Sequence, residues 1–130
     1  MNIPSDLRYS KTDEWVRVEG DIATIGITDY AQSELGDIVY VELPEPGRVL
    51  QAEEMFGTVE SVKAVADLYA PVAGEVLEAN SAVTQRSEVL NEDPYGEGWL
   101  IKVQLADPSE VDKLLTAEQY AAYIEERQKA

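Results

Sequence analysis

Near its carboxy-terminal third the chain reads Trp-Leu-Ile-Lys-Val-Gln-Leu, in which Trp99, Ile101, Val103 and Leu105 alternate with Leu100, Lys102 and Gln104. Successive side chains of a strand point to opposite faces, so a period of two describes a strand with one apolar side. Such a strand is stable only when others pair with it and a second layer covers its apolar face, which commits the chain to a sheet-based core. The runs that could pair with it are short. Glu14 to Glu19 reads as a strand stopped by Gly20-Asp21, and Ile22 to Ile27 returns as its antiparallel partner. Leu7 and Tyr9 open an extended segment before them. Asp37 to Leu43 is predicted to place Val39, Val41 and Leu43 on one face, opposite Ile38 and Tyr40, before Pro44-Glu45-Pro46-Gly47 breaks it. Val49 to Ala52, Met55 to Val62, Leu68 to Ala70 and Glu75 to Glu78 are further short strands, with Gly57 a candidate bulge.

Helical signals are confined to a few places. Thr28 is a plausible N-cap for a short helix through Tyr30, Ala31, Gln32 and Leu35, ended by Gly36. Asp107-Pro108-Ser109-Glu110 combines an N-cap, a proline at the first helical position and a capping box, with Val111, Leu114 and Leu115 at helical spacing. Thr116 to Gln119 repeats the box, and Tyr120, Tyr123 and Ile124 form the next apolar stripe. Residues 80 to 91 show no clear period, and Asn91 to Gly98 reads as a loop. The expectation is a mainly β fold with peripheral helices in one domain, 1–130. Its β-rich body covers about 1–106 and its helical carboxy-terminal flank about 107–130.

With 130 residues, 45% of them hydrophobic, the chain can bury one real core but not two. It contains no cysteine and no histidine, which removes disulfides, thiolate zinc sites, Ser-His-Asp and Cys-His catalysis and imidazole metal ligation. A formal charge of −16 opposes binding to nucleic acid or anionic membrane and favours basic protein partners. The amino terminus lacks signal- or transit-peptide character and no apolar run approaches membrane-spanning length, so a cytoplasmic monomer is expected.

Lys63 is the one Lys or Arg between Arg48 and Arg86, an interval that holds Glu53, Glu54, Glu60, Asp67, Glu75 and Glu78. Its neighbours Val62 and Ala64 leave its stem uncrowded. The plainest reading is a solvated surface lysine. A Schiff-base nucleophile would need an apolar pocket or a nearby cation to depress its pKa, and the surrounding acids act the other way. Acylation would instead remove the charge and turn the side chain into a tether. Pattern alone leaves these open, and the turn at Lys63 has no Asn-Gly or Asp-Gly signal.

The run Glu60-Ser61-Val62-Lys63-Ala64, then Asp67-Leu68-Tyr69-Ala70-Pro71 and Gly74-Glu75, resembles the lipoyl-lysine segment of the glycine cleavage system H protein family. The likeness extends through Glu14-Trp15-Val16, Thr24 to Gln32, Leu35 to Val39, Val41 to Pro44, and Asn91 to Trp99 with Ile101-Lys102. Biotin carriers usually set their lysine between methionines; Val62 and Ala64 flank this one. The resemblance implies a lipoyl/biotinyl-carrier-like barrel-sandwich hybrid with lipoate attached to Lys63 on an exposed hairpin, and a non-enzymatic carrier. It further implies partners: glycine decarboxylase with its pyridoxal phosphate, aminomethyltransferase, dihydrolipoamide dehydrogenase and a lipoylating enzyme. By the same resemblance, Thr12, Glu14 and Asp67 would line a cleft that receives the loaded arm. One residue departs from the family: Asp13 stands where His usually precedes Glu-Trp. A lipoate relay serving other complexes, and an unmodified acidic interaction module, are the rival functions.

Overall fold

The computed structural model describes residues 1–129, so Ala130, the last residue of the expected flank, lies outside the described residues. Among the described residues nine strands form two antiparallel sheets, with helices at the periphery. The larger sheet has the order β1-β2-β3-β9-β8-β5, built from Arg8–Tyr9, Glu14–Glu19, Ile22–Ile27, Ile101–Leu105, Gly74–Ala79 and Val49–Leu50. The smaller has the order β4-β6-β7, from Ile38–Glu42, Met55–Ser61 and Val65–Tyr69. The architecture is therefore two open sheets and not a closed barrel. Their inner faces bury Val16, Ile25, Val41, Phe56, Val59, Leu68, Val76 and Val103 in one core. A second, aromatic cluster joins Tyr9, Trp15, Tyr30, Tyr95 and Tyr120 beneath the last helix, and the Tyr9 and Tyr120 rings stack with centroids 4.7 Å apart.

The β2–β3 hairpin and helix α1 (Asp29–Leu35) form as their sequence predicts, with the Thr28 hydroxyl accepting the Ala31 N–H at 3.1 Å. Gly57 does mark an irregularity in the β6–β7 register. Its missing side chain is also a packing requirement, since a Cβ there would lie 2.2 Å from the Glu42 carbonyl oxygen of β4.

Three expectations are corrected. Alternation places Val39 with Val41, but the β4–β6 register shifts between Ile38 and Tyr40, so Ile38 and Val41 are both buried while Val39 is 53% exposed. A bulge adds one residue and inverts the period locally. The Trp99 to Leu105 strand begins only at Ile101, and Leu100, expected on the outer face, is fully buried, its backbone bonded to both Ile25 and Asn80. The segment after Asp107 is a 3₁₀ helix, Pro108–Lys113, that excludes Leu114 and Leu115. Asp107 caps Ser109 as expected, but Glu110 accepts the Ala73 N–H at 2.9 Å and so leaves the box incomplete. Leu115 then exchanges two backbone hydrogen bonds with Tyr9, which requires extended chain. The second box closes in full, Gln119 and Thr116 bonding each other's backbone N–H ahead of α4 (Ala117–Lys129). Helices α2 (Ser81–Gln85) and α3 (Val89–Glu92) occupy the stretch without a period, α2 capped by the Asn80 side chain.

Gly57→Ala tests the contact between β4 and β6. Overpacking of this kind costs about 1–3 kcal/mol, so the variant should unfold at lower denaturant than the parent with an unchanged m-value. An unshifted midpoint would show that β4 yields to the added methyl.

Candidate functional site

Lys63 sits in the turn between β6 and β7, and the turn is made by the residue two positions before it. The Ser61 N–H donates to the Ala64 carbonyl at 2.8 Å, while the buried Ser61 hydroxyl oxygen accepts the N–H groups of Lys63 at 3.3 Å and Ala64 at 3.0 Å. A hydroxyl that bonds the backbone just ahead of it replaces the glycine chemistry of a tight hairpin. Val62 N–H donates to Asp37 at 3.0 Å and fixes the turn against the start of β4. The base is anchored and the tip is bare. Val62, Lys63, Ala64 and Val65 are all exposed, Val62 to 76%. The lysine stem crosses Gly36, where a Cβ would lie 3.3 Å from Cε, and among the described residues no carboxylate pairs with the amine.

Beside the hairpin lies a cleft of about 230 Å³ whose lining includes Thr12, Glu14, Tyr30, Glu34, Asp67 and Arg127. All three residues expected to line a cleft therefore meet in one, but they are not alike. Asp67 and Thr12 are exposed. Glu14 is 1% exposed and fully engaged: Oε1 accepts the hydroxyls of Ser10, at 2.7 Å, and of Thr12, and Oε2 accepts the Tyr69 N–H at 3.2 Å. Burial outweighs those hydrogen bonds and pushes its pKa up to about 7. A larger cavity of about 410 Å³, between Tyr9, Pro71 and Leu115, shares Thr12 with the cleft, and Lys63 lines neither. The cleft is the one lined by Ala66, Asp67 and Leu68 of β7, the strand that follows the Lys63 turn.

Sequence reasoning missed Ser61, Glu34, Tyr30 and Arg127. Ser61 carried a usable signal, a hydroxyl residue two before the tip of a hairpin. Arg127 did not, because its place in the cleft depends on how α4 docks some hundred residues away from β2.

A sequence profile described as glycine cleavage H-protein matches residues 7–127, nearly the whole chain. The chain belongs to the glycine cleavage H-protein family. A curated family member named glycine cleavage system H protein from Geobacillus thermodenitrificans is 60% identical over 126 residues, covering 97% of this chain and 99% of its own. A protein of the same name from Rubrobacter xylanophilus is also 60% identical over 126 residues, covering 97% of this chain and 98% of its own. Among solved structures, a glycine cleavage system H protein from Mycobacterium marinum superposes with a TM-score of 0.85 at 42% identity, over 92% of this chain and 97% of the other. Family membership accounts for the two-sheet body and its order of elements. No helix among the described residues is long and apolar enough to cross a membrane.

The raised pKa of Glu14 makes a stability prediction with a definite sign. A carboxyl that ionises near 4.5 when unfolded and near 7 when folded binds its proton more tightly in the native state. Its contribution is fully present below 4.5 and is lost as pH rises through 7, a change of about 3 kcal/mol. Glu14→Gln lacks this dependence, so the stability difference between variant and parent should move in the variant's favour by that amount from pH 4.5 to 7.5, measured by denaturant melts. A pH-independent difference would show that Glu14 titrates like a free carboxyl.

Proposed function

We propose that Lys63 carries lipoate in amide linkage and that the chain works as the mobile-arm carrier of the glycine cleavage system. In this reading glycine decarboxylase, aminomethyltransferase and dihydrolipoamide dehydrogenase act on it in turn, and it is their substrate and not an enzyme itself. The observation that carries the reading is the exposed lysine on a hairpin whose base is pinned by Ser61 and Asp37. Such a residue is accessible to a modifying enzyme and held at a constant place for several later active sites. When attached, lipoate supplies a redox-active disulfide that accepts a one-carbon amine together with electrons.

The remaining roles fall to the protein. Ser61 and Gly36 set the direction in which the lysine leaves the body. Thr12, Glu14 and Asp67 form the wall that receives the arm, Asp67 through an exposed carboxylate, held only by the Tyr69 hydroxyl at 3.4 Å and suited to an ammonium group, and Glu14 chiefly by holding Thr12 and β7 in register. Enclosure in the cleft limits access of bulk water to a labile load. The charge of −16 provides long-range attraction to basic docking faces on the enzymes.

Intact mass of the protein isolated from its native host tests the reading, since lipoylation adds one lipoyl group and an unmodified interaction module adds none. Lys63→Arg should abolish that mass increment and all support of glycine decarboxylation, while stability stays within about 0.5 kcal/mol of the parent, as expected for an exposed position. A lipoylated Lys63→Arg protein would overturn the assignment. A lipoylated parent that fails to support glycine decarboxylation would favour the relay function. The apparent KM of glycine decarboxylase for the carrier should rise with salt, because the Debye length shrinks from about 10 Å at 0.1 M to about 3 Å at 1 M. A flat response would remove electrostatic steering.

A further inference from the structure

The β4 bulge that buries Ile38 beside Val41 also turns the two residues between them outward, and Val39 and Tyr40 are 53% and 52% exposed. A regular strand would send only one of them to solvent. Tyr40 stands opposite Glu60 of β6, and Glu60 stands opposite Val65 of β7, so the three side chains form one row across the outer side of the smaller sheet. Val65 is 64% exposed. The next row is Glu42, Thr58 and Asp67, and both of its acids are exposed.

The bulge thus gathers apolar groups where water would be expected to meet polar ones. Val39 and Tyr40 are adjacent in the chain, and Val65 lies about 10 Å from Tyr40, two strand spacings away. Exposed apolar groups that are contiguous and edged by polar residues mark a place where another molecule lands. Tyrosine adds a rigid ring with one apolar face and one polar tip, a side chain enriched at protein contacts. Charge decides what the occupant can be. A second copy would bring Glu42, Glu60 and Asp67 against the same acids on a chain that also carries −16, and such like-charge juxtaposition is strongly unfavourable. A protein with an apolar socket edged by Lys or Arg meets both features. Three anchors make a small contact, which suits a complex that forms and separates quickly.

The place of the face says what such a protein does. Val65 is the second residue after Lys63, and β6 and β7 are the strands that enter and leave the lysine turn. A catalyst that works on the amine itself must bring its reacting atoms to bonding distance of Nζ, so its surface has to cover the strands at the foot of the hairpin. An enzyme that works at the far end of an attached arm needs no such approach.

We propose that the outer face of β4, β6 and β7, through Val39, Tyr40 and Val65, is the docking surface for the enzyme that acylates Lys63, whose matching surface is an apolar socket with a basic edge. In the step it serves, neutral Nζ attacks the carbonyl carbon of an activated acyl donor held by that enzyme. The amide C–N bond forms, the donor's leaving group departs with its bonding electrons, and Nζ gives up a proton. The inference rests on the carrier reading, in which Lys63 is acylated, and adds to it the surface by which the lysine is found.

The unmodified full chain, incubated with the lipoylating enzyme of its native host and that enzyme's acyl donor, tests this through the initial rate of the lipoyl mass increment. Tyr40→Ser should lower kcat/KM about tenfold and Val65→Thr about threefold, through KM and not kcat, because truncating an interface anchor weakens association and leaves the chemical step alone. Glu42→Lys should also raise KM, by opposing the basic edge. Val49→Thr removes an equally exposed apolar side chain from β5 of the larger sheet and should match the parent. Carried to full lipoylation by long incubation, the Tyr40→Ser protein should support glycine decarboxylation as well as the parent does, which a misfolded variant would not. Val65→Thr keeps the test decisive if Tyr40→Ser does not fold. Unchanged KM in both Tyr40→Ser and Val65→Thr, a lower KM in Glu42→Lys, or an equal loss in glycine decarboxylation by fully lipoylated Tyr40→Ser would each overturn the proposal. So would a dimer of the parent, seen by sedimentation, that Tyr40→Ser abolishes, since the face would then belong to a second copy. A parent that the enzyme never modifies would remove the carrier reading together with its docking face, whereas parent and variants modified at equal rates would leave the carrier reading standing and remove the docking face alone.

Discussion

The carboxylate of Glu14 links the two sheets. It belongs to β2 of the larger sheet, yet its Oε2 accepts a backbone N–H from Tyr69, the last residue of β7 in the smaller sheet. A carboxyl buried this deeply is costly unless its oxygens are occupied, and Ser10, Thr12 and Tyr69 occupy them. β7 is also the strand that leaves the Lys63 turn. The contact that joins the layers therefore fixes the path of the chain out of that turn.

Its neighbours extend the same logic. Asp13, Glu14 and Trp15 are consecutive, and each ties β2 to a different part of the molecule. Asp13 reaches α4 through Tyr120 and Arg127, Glu14 reaches β7, and the Trp15 indole N–H donates to the Pro94 carbonyl at 3.0 Å while its ring covers Gly26. The strand pleat makes this divergence possible for residues 14 and 15, and the left-handed turn at residue 13 supplies the third direction. Arg17 continues the pattern, its guanidinium 4.9 Å from the Trp15 ring and bonded to the Tyr95 carbonyl. Helix, hairpin strand and loop thus converge on one short segment at the edge of the cleft.

The hairpin presents an exposed lysine from an anchored base. Ser61 is buried and makes several backbone contacts, whereas the residues that follow it are exposed. Order is concentrated at the base, where it sets direction, and the tip that carries the lysine is exposed. The family match, residues 7–127, spans the body as well as the lysine segment.

Local information was enough wherever one residue's neighbours in sequence are also its partners. The β2–β3 hairpin around Gly20-Asp21, the period of two in Ile101–Leu105, the Thr28 cap, the Thr116–Gln119 box and the isolation of Lys63 among acids are all of this kind. The remainder was decided by contacts across the fold. The bulge that buries Ile38 beside Val41 depends on the β6 register, and Glu110 abandons its capping box because Ala73 offers a donor that no local pattern announces. Leu100 is buried because Ile25 and Asn80 hold its backbone, against its place in the alternation. Glu14 reads in sequence as one acid among 26 Asp and Glu, and becomes a buried pin only where Tyr69 arrives 55 residues later. Periodicity and capping are written in neighbouring residues; burial of a charge and the meeting of Asp13 with Arg127 arise only when distant segments pack, because the partner that makes each of them favourable lies elsewhere in the chain.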